Sequence, residues 1–256
     1  MHTVGYITAY VDLAQLLLYA FWLFFAGLIY YLVREGHREG YPMDSDSLGR
    51  AVVTGWPIPD PKTYKLAGGK SVTVPDRGKL EPPLHAAATG ASPGSPIEPT
   101  GNPMLDGVGP GAYAMRVDVP DANSRGLPVL LPLRLEPAYG VAPQDVDPRG
   151  VPVIGGDGKP GGVVRDIWLD SSEMIFRFLE VETPVRDGTR RVLLPMPLAR
   201  VRRDRVDVNS IYGHHFADVP GTRSPDQVTM LEEEKISAYY AAGTLYADPK
   251  RSEPLL

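Results

Sequence analysis

The sequence predicts a membrane protein with a single N-terminal transmembrane helix, a mainly β domain and a C-terminal helix. An apolar run opens the chain and contains no charged residue from Leu13 to Val33. From Tyr113 onward, short apolar or alternating stretches are divided by turn residues, a pattern typical of a sheet with tight turns. Residues 229–248 then carry the signals of a helix start.

The apolar run predicts a transmembrane helix over residues 12–33, because a helix of that length spans about 30 Å, the thickness of a bilayer core. A secretion signal is the alternative, but it needs a basic leading region, whereas Asp12 precedes this run. Arg34 and Arg38 follow the run, and no Lys or Arg precedes it. This bias predicts that the C-terminal part is cytoplasmic and that residues 1–11 face the periplasm.

Residues 34–112 are rich in Pro and Gly, which excludes long helices and predicts an extended surface segment. A free linker is the alternative, but disordered tethers are normally poor in large apolar residues. We therefore favour an ordered segment that lies against another surface, which buries its apolar side chains. These side chains are Trp56, Tyr64, Leu66, Val72, Val74, Leu84, Ile97, Met104, Leu105 and Val108.

Residues 113–256 are predicted to form the β domain with its C-terminal helix. Stretches such as VLLPLRL, GGVVRDIWLD, MIFRFLEVE and RRVLLP indicate about six short strands in a small antiparallel barrel or curled sheet. The stretch GGDGKPGG lies between two of them. It lacks the spacing of a phosphate-binding loop, so we interpret it as a hairpin turn.

The C-terminal helix is predicted from a capping box, because Thr229 and Glu232 have the required spacing. Pro249 stops the helix, and Gly243 allows another element to approach it closely. Its predicted packing face consists of Ile236, Tyr239, Tyr240 and Leu245.

Composition excludes several classes of function. The 256 residues carry a net charge of −5, which argues against general nucleic-acid binding. The absence of cysteine excludes disulfides, thiolate zinc sites and thiol catalysis. No catalytic triad, HExxH, EF-hand or Walker motif is present, so an enzyme is not predicted.

The stretch DIWLDSSEMIFRFLEVE is the strongest candidate for chemistry. Asp170 and Glu173 lie three residues apart at a strand-to-strand turn, and Arg177 follows. This spacing fits a simple capped turn. It also fits a proton relay, because close, partly buried carboxylates repel each other and one pKa rises, an effect that a nearby arginine restrains. The spacing alone is compatible with both interpretations, the capped turn and the proton relay.

A basic cluster is the second candidate. It could contact anionic headgroups or acidic loops of a partner, or it could be a solvated sheet face that prevents edge-to-edge pairing. Its members are Arg190, Arg191, Arg200, Arg202, Arg203 and Arg205.

Taken in order, several stretches resemble the H chain of the purple-bacterial photosynthetic reaction centre. They are GLIYYL in the apolar run, REGYP, PTGNPMLDGVGP, VVRDIWLD, FRFLEVE, LLP and LEEEKISAYYAAGTLYA. The resemblance implies a transmembrane helix beside the L and M chains and a cytoplasmic domain with a PRC-barrel. It also implies that the bacteriochlorophyll, bacteriopheophytin, quinones and non-haem iron belong to L and M, and that this chain alone binds none of them.

The resemblance further implies a non-catalytic structural subunit that caps L and M, shields the quinone sites and conducts protons to the secondary quinone. It places this subunit in the bacterial inner (intracytoplasmic) membrane, among membrane lipids and with a cytochrome subunit and antenna as further candidate partners. No nucleic-acid partner is expected. A membrane-tethered PRC-barrel adaptor that binds another protein is the alternative function.

The motif-matched relay residues are Asp170, Glu173 and Arg177. Relatives can carry surface histidines near the proton entrance, in the stretch that matches DVPDANSRGLP, but this chain has none there. Asp118 and Asp121 in this stretch are therefore alternative proton-gathering candidates. A different entrance is equally compatible with the sequence.

Overall fold

A computed structural model describes residues 12–41, 43–45, 50–52, 58–75, 85–92 and 94–252. The predicted periplasmic residues 1–11 lie outside this part. The chain divides into two compact units. The first unit comprises Met1–Pro82 and Ser92–Gly94, and the second comprises Pro83–Ala91 and Ser95–Leu256.

The first unit contains the predicted apolar helix, α1, which runs from Leu13 to Gly36. Asp12 caps its start, since the Asp12 carboxylate accepts a hydrogen bond of 2.7 Å from the amide of Gln15. None of its residues is buried, and Leu23 is 80 % exposed. Among the described residues, α1 is the one helix long and apolar enough to cross a membrane. Its exposed apolar surface indicates membrane anchoring.

Short hairpins, rather than long helices, form the described part of the segment that follows α1. In the first unit, β1 (Met43–Ser45) pairs with β2 (Arg50–Val52), and β3 (Lys62–Lys65) pairs with β4 (Ser71–Val74). In the second unit, β5 (Ala86–Ala88) pairs with β6 (Ile97–Pro99). Several of the interleaved apolar side chains are exposed, whereas Trp56 and Leu84 lie outside the described residues. The exposed ones include Tyr64, Leu66, Val72, Ile97 and Leu105.

Two of the interleaved apolar residues are buried within the second unit itself. Met104 is 7 % exposed and Val108 is 2 % exposed. The chain beside them packs on the C-terminal helix, because a Cβ on Gly111 would lie 3.0 Å from the Cβ of Ala242. This differs from the expectation that a partner surface buries the segment. Here the chain's own helix supplies the apolar face.

A seven-stranded sheet forms the centre of the second unit, in the order β11-β10-β9-β8-β13-β12, with β7 pairing to the end of β9. All pairings are antiparallel except β13 with β8. The strands are β7 (Leu130–Pro132), β8 (Pro152–Gly155), β9 (Pro160–Asp170), β10 (Ile175–Val185), β11 (Gly188–Pro195), β12 (Arg200–Val201) and β13 (Val206–Val208).

The sheet confirms the prediction of a mainly β domain. Of the two predicted forms, barrel or curled sheet, it corresponds to the curled sheet. Register shifts near Phe176 and Glu180 mark irregularities in the β9–β10 pairing, which bend and twist a sheet. Among the described residues, no backbone pairing joins the edge strands β11 and β12, so no closed barrel forms. Strand β12 has only two residues, which gives it few backbone groups for closure. The predicted hairpin turn lies between β8 and β9.

The C-terminal helix α2 runs from Met230 to Tyr246 and confirms the predicted capping box. The Thr229 hydroxyl accepts from the Glu232 amide, and the Glu232 carboxylate accepts from the Thr229 amide. Ile236, Tyr239 and Tyr240 are buried as predicted, but Leu245 is only half-buried. A Cβ on Gly243 would meet the Ile211 side chain at 2.4 Å, so a glycine is needed for this close approach.

A buried ionic cluster joins the sheet to the loop before α2. Glu180 on β10 is 2 % exposed and accepts hydrogen bonds from Arg134, Arg191 and the indole of Trp168, at 2.8, 2.7 and 3.1 Å. Arg134 also donates to Asp166 at 3.0 Å. Its second Nη atom donates to the Pro225 carbonyl and the Asp226 carboxylate, at 2.6 and 2.7 Å.

We expect Arg134→Met to lower the free energy of unfolding by about 2 kcal/mol, because it removes charged hydrogen bonds from two buried carboxylates. Urea titration of the full chain in mild detergent measures this change. Arg149→Met is the control, since Arg149 pairs with Asp147 at 2.6 Å on the surface. It should cost less than about 1 kcal/mol. Equal losses in the two variants would contradict the special role of Arg134.

Candidate functional site

The turn between β9 and β10 is built around the Asp170 carboxylate. Asp170 is 2 % exposed. It accepts hydrogen bonds from the Ser172 amide, the Ser172 hydroxyl and the Glu173 amide, at 2.9, 2.7 and 3.1 Å. This is the capped turn that the spacing Asp-Ser-Ser-Glu predicts.

Arg177 lies between two buried carboxyl groups. Its Nη1 atom donates to Asp170 at 3.2 Å, and its Nη2 atom is 3.3 Å from an oxygen of Glu233. Asp170 comes from the end of β9, Arg177 from β10 and Glu233 from the first turn of α2. The fold therefore brings Glu233 of α2 beside the Asp170–Arg177 pair of the β9–β10 hairpin, from which it is distant along the chain.

The two carboxyl groups respond to this setting in opposite ways. Burial alone would raise the pKa of Asp170, but hydrogen bonds from Ser172, Glu173 and Arg177 outweigh burial and hold it below its ordinary value. Burial raises the pKa of Glu233, despite the nearby positive charges of Arg177 and Arg116. Among the described residues, the Glu233 Oε2 atom has no hydrogen-bond partner. Asp170 is thus a fixed anion and Glu233 a group that holds a proton more readily.

The predicted entrance residues lie near this cluster but in different settings. The Asp118 carboxylate accepts a hydrogen bond of 2.7 Å from the Thr229 hydroxyl and pairs with Arg223 at 2.6 Å. Asp121 is exposed, and its charge contributes to the raised pKa of Glu233. Asp118 is therefore attached to the start of α2, whereas Asp121 is open to solvent.

Glu173 occupies the outer side of the turn. Its side chain is exposed, and its carboxylate has no hydrogen-bond or ion-pair partner within the described ranges. The next residue, Met174, has a φ of 58°, a left-handed conformation that is uncommon for a non-glycine residue. The turn thus presents Glu173 to the surface directly beside the Asp170 anion.

Glu233 is the member of the cluster that the sequence reasoning missed. The raised pKa expected for one of a pair of carboxyls belongs to Glu233, whereas the pKa of Asp170 is lowered. A signal was available, because Glu233, Ile236 and Tyr240 share one face of a helix and the latter two were predicted to be buried. No group of three metal-ligating side chains occurs among the described residues.

Two family models match the chain. Residues 5–135 match the model of the photosynthetic reaction centre H-chain N-terminal region. The chain belongs to the reaction-centre H-chain family. Residues 144–215 match the PRC-barrel domain, which covers strands β8 to β13 of the sheet. Membership of the H-chain family identifies the protein as a structural subunit of a photosynthetic reaction centre, in a complex with other subunits.

The raised pKa of Glu233 predicts a specific pH dependence of stability. Because the folded protein binds this proton more tightly than the unfolded chain, Glu233 should lower stability as pH rises from the ordinary glutamate range through its raised pKa. Glu233→Gln should remove this loss. The difference in unfolding free energy between the variant and the original chain should therefore grow as pH rises.

Urea titrations of the full chain in mild detergent at several pH values measure this difference. Glu234→Gln is the matched control, because Glu234 is the next residue of the same helical turn but only half-buried. We expect a smaller pH-dependent difference for this variant than for Glu233→Gln. A flat profile for Glu233→Gln would contradict the raised pKa.

Proposed function

We propose that this subunit caps the L and M chains on the cytoplasmic side, shields the quinone sites and conducts protons to the secondary quinone. The observation that carries the proton-conducting role is the Asp170–Arg177–Glu233 cluster. A relay needs a group that takes up and releases protons near neutral pH, and burial tunes a carboxyl in that direction. Burial raises the pKa of Glu233, which is a shift in this direction.

The cluster also supports a direction for proton movement. Exposed carboxylates gather protons from water, and here Glu173 and Asp121 are exposed while Glu233 is buried. Asp170 stays ionised and favours a positive charge beside it. In this proposal Glu173 and Asp121 receive protons from the cytoplasm, Glu233 holds them, and ordered water completes the path to the quinone in the partner chains.

Exposed apolar residues beside the cluster support a capping role. Met174 is 60 % exposed and Ile175 is 48 % exposed, both at the turn that carries Glu173. Met115, Val117 and Val119 are also more than half exposed. Apolar side chains concentrated at one region mark surfaces that other proteins cover. A partner placed here would exclude bulk water and strengthen the charge interactions of the cluster.

The proposal also assigns places to helix α1 and to the pigments, quinones and iron. Helix α1 docks beside the transmembrane helices of L and M, with the N-terminus in the periplasm, as the charge bias around the apolar run predicts. The bacteriochlorophyll, bacteriopheophytin, quinones and non-haem iron are held by L and M. The alternative, a membrane-tethered adaptor, has only the PRC-barrel match over residues 144–215 in its favour, whereas the H-chain match over residues 5–135 favours the reaction-centre subunit.

Purification in mild detergent distinguishes the two candidates. We expect the chain to be recovered with pigmented partner chains, and an absorption spectrum should show near-infrared bacteriochlorophyll bands. Recovery with a colourless partner would favour the adaptor and contradict the proposed complex. The original host membrane is the source material, so that all partner chains are present.

Glu173→Gln tests the relay. We expect proton-coupled second electron transfer to the quinone to slow by at least about tenfold, because a positioned proton-transfer group is lost. Assembly with pigment should survive. Flash-induced kinetics measure the rate in the purified complex.

Asp187→Asn is the matched control for this experiment. Asp187 is an exposed turn carboxylate just after the other end of strand β10, so it lies roughly 30 Å from Glu173 along the strand. Its removal should leave the rate unchanged. Equal rates in Glu173→Gln and the original chain would remove Glu173 from the path.

A further inference from the structure

A groove lies between the end of β11, strands β12 and β13, and the C-terminal end of α2. Its volume is about 680 Å³, within the range of small-molecule sites. Its apolar lining residues are Pro197, Leu198 and Ala199. Its polar lining residues are Arg200, Asp207, Asn209, Ser210, Thr244 and Arg251.

Two arginines line this groove, and neither forms an ion pair with a described residue. Arg200 is exposed, and its guanidinium has no hydrogen bond or ion pair to any described residue. Arg251 donates to the carbonyls of Ser210, Gly243 and Asn209 at 2.8, 2.7 and 2.9 Å, and no described carboxylate lies within ion-pair distance of it. These three bonds hold the Arg251 guanidinium in place, 4.8 Å from the centre of the Tyr212 ring, and the charge of Asp248 acts on it from beyond ion-pair distance.

The carboxylate in the groove is already paired. Asp207 accepts hydrogen bonds from both Arg202 and Arg205. A neighbouring groove of about 490 Å³ contains these two arginines and shares Arg200, Asp207 and Asn209 with the first. The basic surface is therefore continuous across both grooves.

Ser210 supplies a second, independent observation. It is 6 % exposed, and its hydroxyl oxygen is buried without a hydrogen-bond partner among the described residues. A buried hydroxyl normally has a partner, because an unmade hydrogen bond costs about 1–3 kcal/mol. A bound acceptor in the groove, with a small rearrangement of the wall, would provide that partner.

We propose that this groove binds a small molecule that carries a phosphate group and a short apolar part. Arg200 and Arg251 contact the phosphate oxygens, the Ser210 hydroxyl donates to one of them, and Leu198 packs on the apolar part. Guanidinium groups suit this role because their planar donors match phosphate oxygens in pairs. The site lies outside the Asp170–Arg177–Glu233 cluster and does not depend on the proposed proton path.

Calorimetric titration of the full chain in mild detergent, with inorganic phosphate and phenyl phosphate as probes, tests the proposal. We expect saturable binding, with phenyl phosphate tighter than inorganic phosphate. Arg200→Gln should weaken binding by at least about tenfold, and Ser210→Ala by about threefold, from the loss of charged and neutral hydrogen bonds respectively. Thermal unfolding checks that each variant is folded.

Arg203→Gln is the matched control. Arg203 lies in the same β12–β13 hairpin, is exposed and unpaired among the described residues, and lines neither groove. It should change the affinity less than about twofold, since it loses only long-range attraction. Equal weakening by Arg200→Gln and Arg203→Gln would overturn the proposal, as would the absence of saturable binding. Either result would indicate that these arginines form a solvated edge of the sheet and bind no ligand.

The same titration in lipid discs identifies the source of the phosphate group. If a lipid headgroup fills the groove, anionic phosphatidylglycerol in the disc should compete with added phosphate, and Arg200→Gln should abolish the competition. If the ligand is soluble, discs with and without the anionic lipid should give the same affinity. Both results support the site and differ only in where its ligand comes from.

Discussion

Carboxylates on the β9–β10 hairpin enter the protein interior, and arginines must accompany them there. An isolated buried carboxylate is costly, whereas one that accepts charged hydrogen bonds is tolerated. Glu180 is matched by Arg134 and Arg191, and Asp170 is matched by Arg177. Because Arg134 also holds the loop before α2, this constraint extends from the sheet to the helix. The position of α2, and hence of the functional cluster, depends on it.

In the Asp170–Arg177–Glu233 cluster, two carboxyl groups lie beside one arginine, and they differ in the number of hydrogen bonds that they accept. Asp170 receives three hydrogen bonds from its own turn before Arg177 is added, whereas the Glu233 carboxyl has only the charges of Arg177 and Arg116 near it. The same arginine therefore lies beside one carboxyl that stays ionised and one whose pKa is raised. This difference places a carboxylate that stays ionised beside a carboxyl that binds a proton more tightly, which is the arrangement that the proposed relay needs.

Local signals in the sequence predicted much of this fold. The apolar run, the capping box of α2 and the glycine-rich turn between β8 and β9 each depend on neighbouring residues, and each was correct. Features that depend on distant contacts were not predicted. They include the burial of Met104 against the chain's own core and the position of Glu233. Helical periodicity puts Glu233 on the same face as Ile236 and Tyr240, but only the fold shows that Arg177 lies opposite it.

The capping box stabilises the first turn of α2, and the proton affinity of Glu233 depends on that turn staying folded. Thr229 caps α2, receives support from Asp118, and lies four residues before Glu233 in the chain. Fraying of that first turn would expose the Glu233 carboxyl to water, and its proton affinity would return to that of an ordinary glutamate. The pKa of Glu233 would then report on fraying at the start of α2. Any partner that clamps this terminus would also tune the acidity of the site.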